Sequence, residues 1–286
     1  MLDDATLFAM ASDLARIDGV AGVVLGGSRV RGLARPDSDV DVGVYLSGAV
    51  DEVAIAELAD AWSDAPTDWT PSGAWGPWVD GGAWLEVEGT AVDWIRRDLA
   101  RVGAQWSRAL RGEHAFHAQA GHPLGFLDVS YCGELALSRI LADPDGELEG
   151  RRGEMQWMPD ALAAALAART WEARFALDGA AKAAARGDAA FVALSIAHAL
   201  LTAAHAIHGR DSAWATNEKG LIAAAARLPH APAGFQARAT EALALGDATP
   251  AALRDAVDRA RALVDAVERS IADGSFGAAR SERAGS

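Results

Sequence analysis

Apolar and polar positions sort the first hundred residues into short strands and amphipathic helices. Val20-Ala21-Gly22-Val23-Val24-Leu25 is an unbroken apolar run, which predicts a buried strand. In Val40-Asp41-Val42-Gly43-Val44-Tyr45 the valines fall at every second position and face a core, while Asp41, Gly43 and Tyr45 share the opposite face. Ala83-Trp84-Leu85-Glu86-Val87-Glu88 and Ala91-Val92-Asp93-Trp94-Ile95 flank Gly89-Thr90, which predicts a hairpin with that pair as its turn. A helix capped by Asp3 or Asp4 runs to about Arg16, with Leu7, Met10, Ala11, Leu14 and Ala15 on one face. Further helices are expected near 50–63 and 97–110, and residues 64–82, rich in Pro, Gly, Trp and Asp, read as a long surface excursion.

From about Asp160 the pattern changes. Alanine dominates, and helical periods run at about 159–186, 189–208, 214–227, 233–245 and 249–272. Breaks such as Arg186-Gly187-Asp188 and Thr249-Pro250 carry ordinary stop and start residues. The expected organisation is an α/β (α+β) domain over 1–112, a helical bundle over 113–275 and a flexible tail over 276–286.

Composition narrows the class. Of 286 residues 51% are hydrophobic and 23% charged, enough to build a packed core. No apolar run looks as long as the roughly 20 residues a membrane-spanning helix needs, so no membrane partner is expected. The start, Met1-Leu2-Asp3-Asp4, lacks a basic region, and the single cysteine, Cys132, forms no internal disulfide; both fit a cytoplasmic protein. The formal net charge of −14 repels nucleic acid and would attract a polycationic small molecule.

The chemistry concentrates early. Gly26-Gly27-Ser28-Arg29-Val30-Arg31-Gly32 follows the first strand, and its glycines let a phosphate approach backbone N–H groups, with the Ser28 hydroxyl beside them. The same residues also suit a plain strand-to-helix turn. Asp39 and Asp41 stand two apart on a strand, side chains on one face about 7 Å apart, a spacing suited to Mg²⁺ or to simple solvation. Asp93 joins them if its strand lies alongside, and a cation then offsets their repulsion; pairing with Arg96 or Arg97 is the alternative.

Gly26-Gly27-Ser28, Ser38-Asp39-Val40-Asp41 and Val92-Asp93-Trp94-Ile95 together resemble the signature of the DNA-polymerase-β-like nucleotidyltransferase superfamily. Its members include the aminoglycoside and lincosamide nucleotidyltransferases. The resemblance covers about residues 20–98. It implies a mixed, largely antiparallel sheet, with Gly27 and Ser28 binding a nucleoside triphosphate and Asp39, Asp41 and Asp93 holding two Mg²⁺ ions. Arg31 would contact phosphates or brace the loop.

Many two-domain members place substrates between the catalytic domain and a helical bundle, and this chain has that layout. Lys219, one of two lysines with Lys182, is the candidate to neutralise triphosphate from the bundle, or else a solvated partner of Glu218. Glu134 sits in an apolar helical pattern with Leu127, Tyr131, Leu135 and Ile140. It is a candidate general base, as Asp93 is, or else a surface acid paired with Arg139. His122 reads as a loop residue in a Gly-His-Pro turn. His198, His205 and His208 lack acidic or cysteine partners and read as packed or capping residues rather than a zinc site. Five of the ten tryptophans, Trp62, Trp69, Trp75, Trp78 and Trp84, cluster about the excursion and either seal it or line an acceptor cleft.

The implied reaction moves a nucleoside monophosphate, AMP from ATP, to a hydroxyl of a small molecule such as an aminoglycoside-like antibiotic. Two other classes stay open: a non-catalytic binding protein of the same fold, antitoxin-like or regulatory, and an enzyme that nucleotidylates a protein.

Overall fold

The computed structural model describes residues 2–30, 32 and 38–272. In chain order its elements are α1 (Asp4–Leu14), β1 (Val20–Leu25), α2 (Gly27–Val30), β2 (Val40–Leu46), α3 (Glu52–Trp62), β3 (Gly82–Val87), β4 (Thr90–Asp98), α4 (Leu99–Ala109), β5 (Phe116–Gln119), β6 (His122–Leu127), α5 (Ser130–Ala136), β7 (Arg139–Ala142) and α6 (Glu147–Met155). The remaining helices are α7 (Asp160–Ala167), α8 (Thr170–Ala184), α9 (Ala189–Arg210), α10 (Leu221–Ala225), α11 (Phe235–Leu243) and α12 (Pro250–Ala272).

Contacts divide the chain into two units, the first comprising 1–107, 119–123 and 131–156, the second 108–118, 124–130 and 157–286. The architecture is the expected one, a mixed α/β part followed by a helical bundle. The division differs from the expected break after residue 112, because the chain returns to the first unit. β7 pairs antiparallel with β1, and α6 places Leu148 against Gly22. The expected tail, 276–286, lies outside the described residues.

The first unit is built on a five-stranded sheet ordered β3-β4-β2-β1-β7. β2 and β4 run parallel and the other neighbours antiparallel. One face buries Val40, Val42, Val44, Ala83, Leu85, Val92 and Trp94 with Leu7, Met10 and Leu14 of α1 and Ile55 and Ala59 of α3. Each of these strands alternates, so the other face presents Asp41, Asp93, Trp84 and Glu86 half-buried or exposed. Asp3 caps α1 by accepting a hydrogen bond from the Thr6 N–H, as its position predicts.

Three local expectations need correction. The hairpin turns at Glu88-Gly89, both at positive φ, rather than at Gly89-Thr90. His122 lies on β6 instead of in a loop, paired in a two-stranded ribbon with β5. The apolar pattern from Leu127 to Ile140 is not one helix: α5 spans only Ser130–Ala136, and Ile140 belongs to β7.

In the second unit α9 is the central rod, touching α7, α8, α10, α11 and α12. Val192, Ile196, Leu200 and Ile207 pack with Leu177, Phe235, Leu253, Val257 and Leu263 in its core. Alanines between them let the helices approach closely. Contrary to the sequence expectation, α9 is long and apolar enough, at 22 residues, to cross a membrane by length and composition alone; just over half of its apolar window is buried in this core. The periods read at 159–186 and 214–227 are interrupted, by Ala168-Arg169 and by the non-helical stretch before Leu221.

The histidines of α9 are packed ones, as their sequence context suggests. His208 shares a hydrogen bond between Nδ1 and the Ala213 carbonyl, 3.0 Å away. Burial pushes the His205 imidazole down to about 3, helped by the positive or protonatable groups of His208, Arg169 and His114. The unfolded chain protonates this ring near the ordinary value of about 6.5, whereas the folded chain resists down to about 3. Folding stability from this group is therefore complete above about pH 6.5 and is lost as pH falls toward about 3. The expected outcome is a His205→Phe variant whose urea midpoint depends less steeply on pH than wild type between about pH 7 and about pH 4, read by circular dichroism.

Candidate active site

The glycine turn follows β1 directly and is tied to β2. Gly26 N–H donates to the Asp41 carbonyl at 2.8 Å, continuing the β1–β2 ladder past the strand end. Gly27 follows with φ +64°, and a Cβ built on it would overlap the Asp41 carboxylate. Glycine is required here twice over, for the left-handed backbone and for the room that Asp41 occupies. Ser28 comes next, half-buried in the single turn of α2. Arg31 lies outside the described residues.

The carboxylates are positioned by strand register. Asp41 on β2 and Asp93 on β4 are direct partners in the parallel ladder, and both are half-buried. Side chains paired in this way project to the same face, with backbones about 4.8 Å apart. Asp39 is exposed and stands immediately before β2. Among the described residues no group of three or more His, Cys, Asp or Glu side chains is arranged to hold a metal ion. What the fold brings together is the pair Asp41 and Asp93 beside Gly27, with Asp39 at the strand's entrance. Two carboxylates supply the hard oxygen donors that Mg²⁺ takes, and Gly27 leaves the Asp41 carboxylate space to offer them.

The same face continues along the two strands to Tyr45 and Arg97, again register partners. Here Glu134 is found. Its carboxylate accepts from Arg97 Nε at 2.7 Å, and Arg97 lies 5.1 Å from the Tyr131 ring centroid. Glu134 is thus the partner of Arg97, while Arg139 pairs with Asp4 at 2.8 Å. Burial opposes the Arg97 charge, but the Glu134 carboxylate beside it holds the guanidinium above its ordinary range. Burial also pushes the Tyr45 and Tyr131 phenols up. Lys219 belongs to the second unit, exposed in a turn where its N–H donates to Asn217 Oδ1 at 2.8 Å.

The tryptophans divide between two roles. Trp69 is buried and its indole N–H donates to Glu52, while the Trp78 carbonyl accepts from the Tyr131 hydroxyl; both seal the excursion. Trp84 differs. It is 61% exposed, is the register partner of Asp93 on β3, and stacks on Trp75 with centroids 4.3 Å apart. The turn at Glu88-Gly89 sets it beside Asp93, where a turn at Gly89-Thr90 would set Glu86.

Two substitutions test this geometry. Gly27→Ala is expected to cost about 1–2 kcal/mol in urea unfolding, from the left-handed backbone alone, with a further loss as Asp41 is displaced. Glu134→Gln leaves the buried Arg97 guanidinium without its counter-charge and should cost about 1.5–3 kcal/mol. A Glu134 that served only as a proton acceptor would leave the urea midpoint unmoved.

Residues 9–93 match the family model described as nucleotidyltransferase domain. A solved structure described as a nucleotidyltransferase-like protein from Exiguobacterium sibiricum 255-15 is similar at 10% identity and a TM-score of 0.44, over 94% of this chain and 74% of that one. No curated protein matches the chain. The matched segment runs from α1 through the glycine turn and ends on Asp93, so this part of the chain carries a nucleotidyltransferase-domain-like fold.

Proposed function

We propose that the protein transfers a nucleoside monophosphate, AMP from ATP, to a hydroxyl of a small molecule. The observation that carries this reading is the register match of Asp41 with Asp93, with the Asp41 carboxylate seated against Gly27. In this reading the backbone N–H groups around Gly27 and the Ser28 hydroxyl hold the terminal phosphates. Asp39, Asp41 and Asp93 are the residues that would hold Mg²⁺. Bound there, the metal supplies charge neutralisation for the triphosphate and acidifies the attacking hydroxyl.

The acceptor oxygen forms a bond to the α-phosphorus, and the bond from that phosphorus to the oxygen bridging toward the β-phosphate breaks. Pyrophosphate leaves with the electron pair, and the hydroxyl proton passes to the Asp93 carboxylate. The residues contribute alignment and charge placement, which dominate phosphoryl transfer. The formal charge of −14 favours a neutral or cationic acceptor over nucleic acid.

Calorimetric titration with ATP, GTP, CTP and UTP, each with and without Mg²⁺, tests the site directly. Metal-dependent binding of one nucleotide is expected, weakened at least about tenfold in Asp41→Asn and in Asp93→Asn. Equal binding by wild type and both variants, or none at millimolar nucleotide, would favour a non-catalytic binding protein instead.

A further inference from the structure

We propose that the exposed indole of Trp84 is the platform on which the acceptor's ring is seated. This rests on the reading of the site given above and adds the acceptor's place and chemical class to it.

A line of paired positions crosses the sheet. Gly26 bonds to Asp41, Asp41 is the register partner of Asp93, and Asp93 is the register partner of Trp84. Four consecutive positions therefore run perpendicular to the strands, from the glycine turn to β3, the edge strand of the sheet. Alternation puts the last three side chains on one face, and in each strand the flanking residues are buried on the other. Two strand spacings, about 10 Å, separate Asp41 from Trp84.

Direction follows from the chemistry. Displacement at phosphorus is in-line, with the attacking and leaving oxygens on opposite sides. If the leaving pyrophosphate is held at the glycine turn and the α-phosphorus sits over the carboxylate pair, the hydroxyl approaches from the remaining side. That side is Asp93, with Trp84 next to it. An acceptor whose hydroxyl reaches Asp93 lays its body over position 84.

The indole there is prepared for a ligand in a way the sealing tryptophans are not. Trp69 is buried beneath its neighbours. Trp84 is 61% exposed although it is the largest kind of apolar side chain, and an edge strand gains nothing for folding by leaving it open. Trp75 stacks on it at an interplanar angle of 18°, which holds the ring while most of the residue stays exposed. Thr67 Oγ1 donates to the Trp84 carbonyl at 2.7 Å, anchoring the backbone as well. A rigid open indole face takes the C–H face of a saturated ring or a cation. Asp93 beside it and exposed Glu86, two residues along β3, place negative charge around that face. The acceptor class is therefore a ring-bearing alcohol, with or without a positive charge.

The test uses the full chain labelled with 5-fluorotryptophan, the Trp84 fluorine resonance being assigned with Trp84→Phe. With Mg²⁺ and a non-hydrolysable ATP analogue present, D-glucosamine, myo-inositol and open-chain sorbitol are titrated separately. The ring compounds are expected to shift the Trp84 resonance saturably and sorbitol not to. Trp84→Ala should weaken ring binding by at least about tenfold and Trp84→Phe by less, with analogue affinity unchanged within about twofold in both. A stronger response to glucosamine than to inositol adds the cation to the acceptor class. If the analogue alone shifts Trp84 and Trp84→Ala weakens it, the indole holds the nucleobase and the proposal is overturned. If the analogue binds but no ring compound moves Trp84 more than sorbitol does, it is overturned too. If the analogue fails to bind wild type, the underlying reading of the site falls, and the acceptor platform with it.

Discussion

Two carboxylates that repel one another are held side by side by a parallel ladder that involves neither side chain. The pairing of β2 with β4 continues in register from Val40 opposite Val92 to Leu46 opposite Asp98. Its stability comes from the other face of the same strands, where Val40, Val42, Val44, Val92 and Trp94 are fully buried against α1 and α3. Because side chains alternate, burying the valines obliges Asp41 and Asp93 to the opposite side. Slipping the register by one residue would bury the acids and expose the core. Hydrophobic burial thus enforces an electrostatic arrangement that would not form by itself.

The glycine turn inherits the same constraint. Gly26 extends the β1–β2 ladder by one more bond, so the turn leaves the sheet at the level of Asp41. Farther along, Tyr45 and Arg97 repeat the pairing, and α5 covers them, contributing Glu134 and Tyr131. Asp41 and Asp93 stand half-buried at one end of this face, and Tyr45 and Arg97 are buried at the other. Glu134 belongs to the covered end.

Much of this was legible from residue pattern alone. Alternating valines marked β2 and its open face, and the Ala-rich periods marked the bundle helices. What escaped were features set by distant partners. β7 is four residues long and becomes a strand because β1 offers an unpaired edge, which no local propensity announces. The partner of Glu134 is Arg97, distant in sequence and brought near by the fold of α5 over the sheet. The hairpin shows how a small error propagates. Moving its turn by one residue sets Glu86 opposite Asp93, two like charges, where the structure sets Trp84. The positive φ shared by Glu88 and Gly89 is the backbone fact that decides between them.

Lysine is distributed as unevenly as any residue in the chain. Both copies, Lys182 and Lys219, lie in the second unit, so every side-chain cation of the first unit other than histidine is a guanidinium. Guanidinium groups keep their charge at any pH a protein survives. Titration of the sheet unit above neutrality therefore leaves its side-chain cations untouched. Amine-directed reagents divide the molecule the same way: apart from the chain's own amino terminus, every acylated or cross-linked amine reports on the bundle alone.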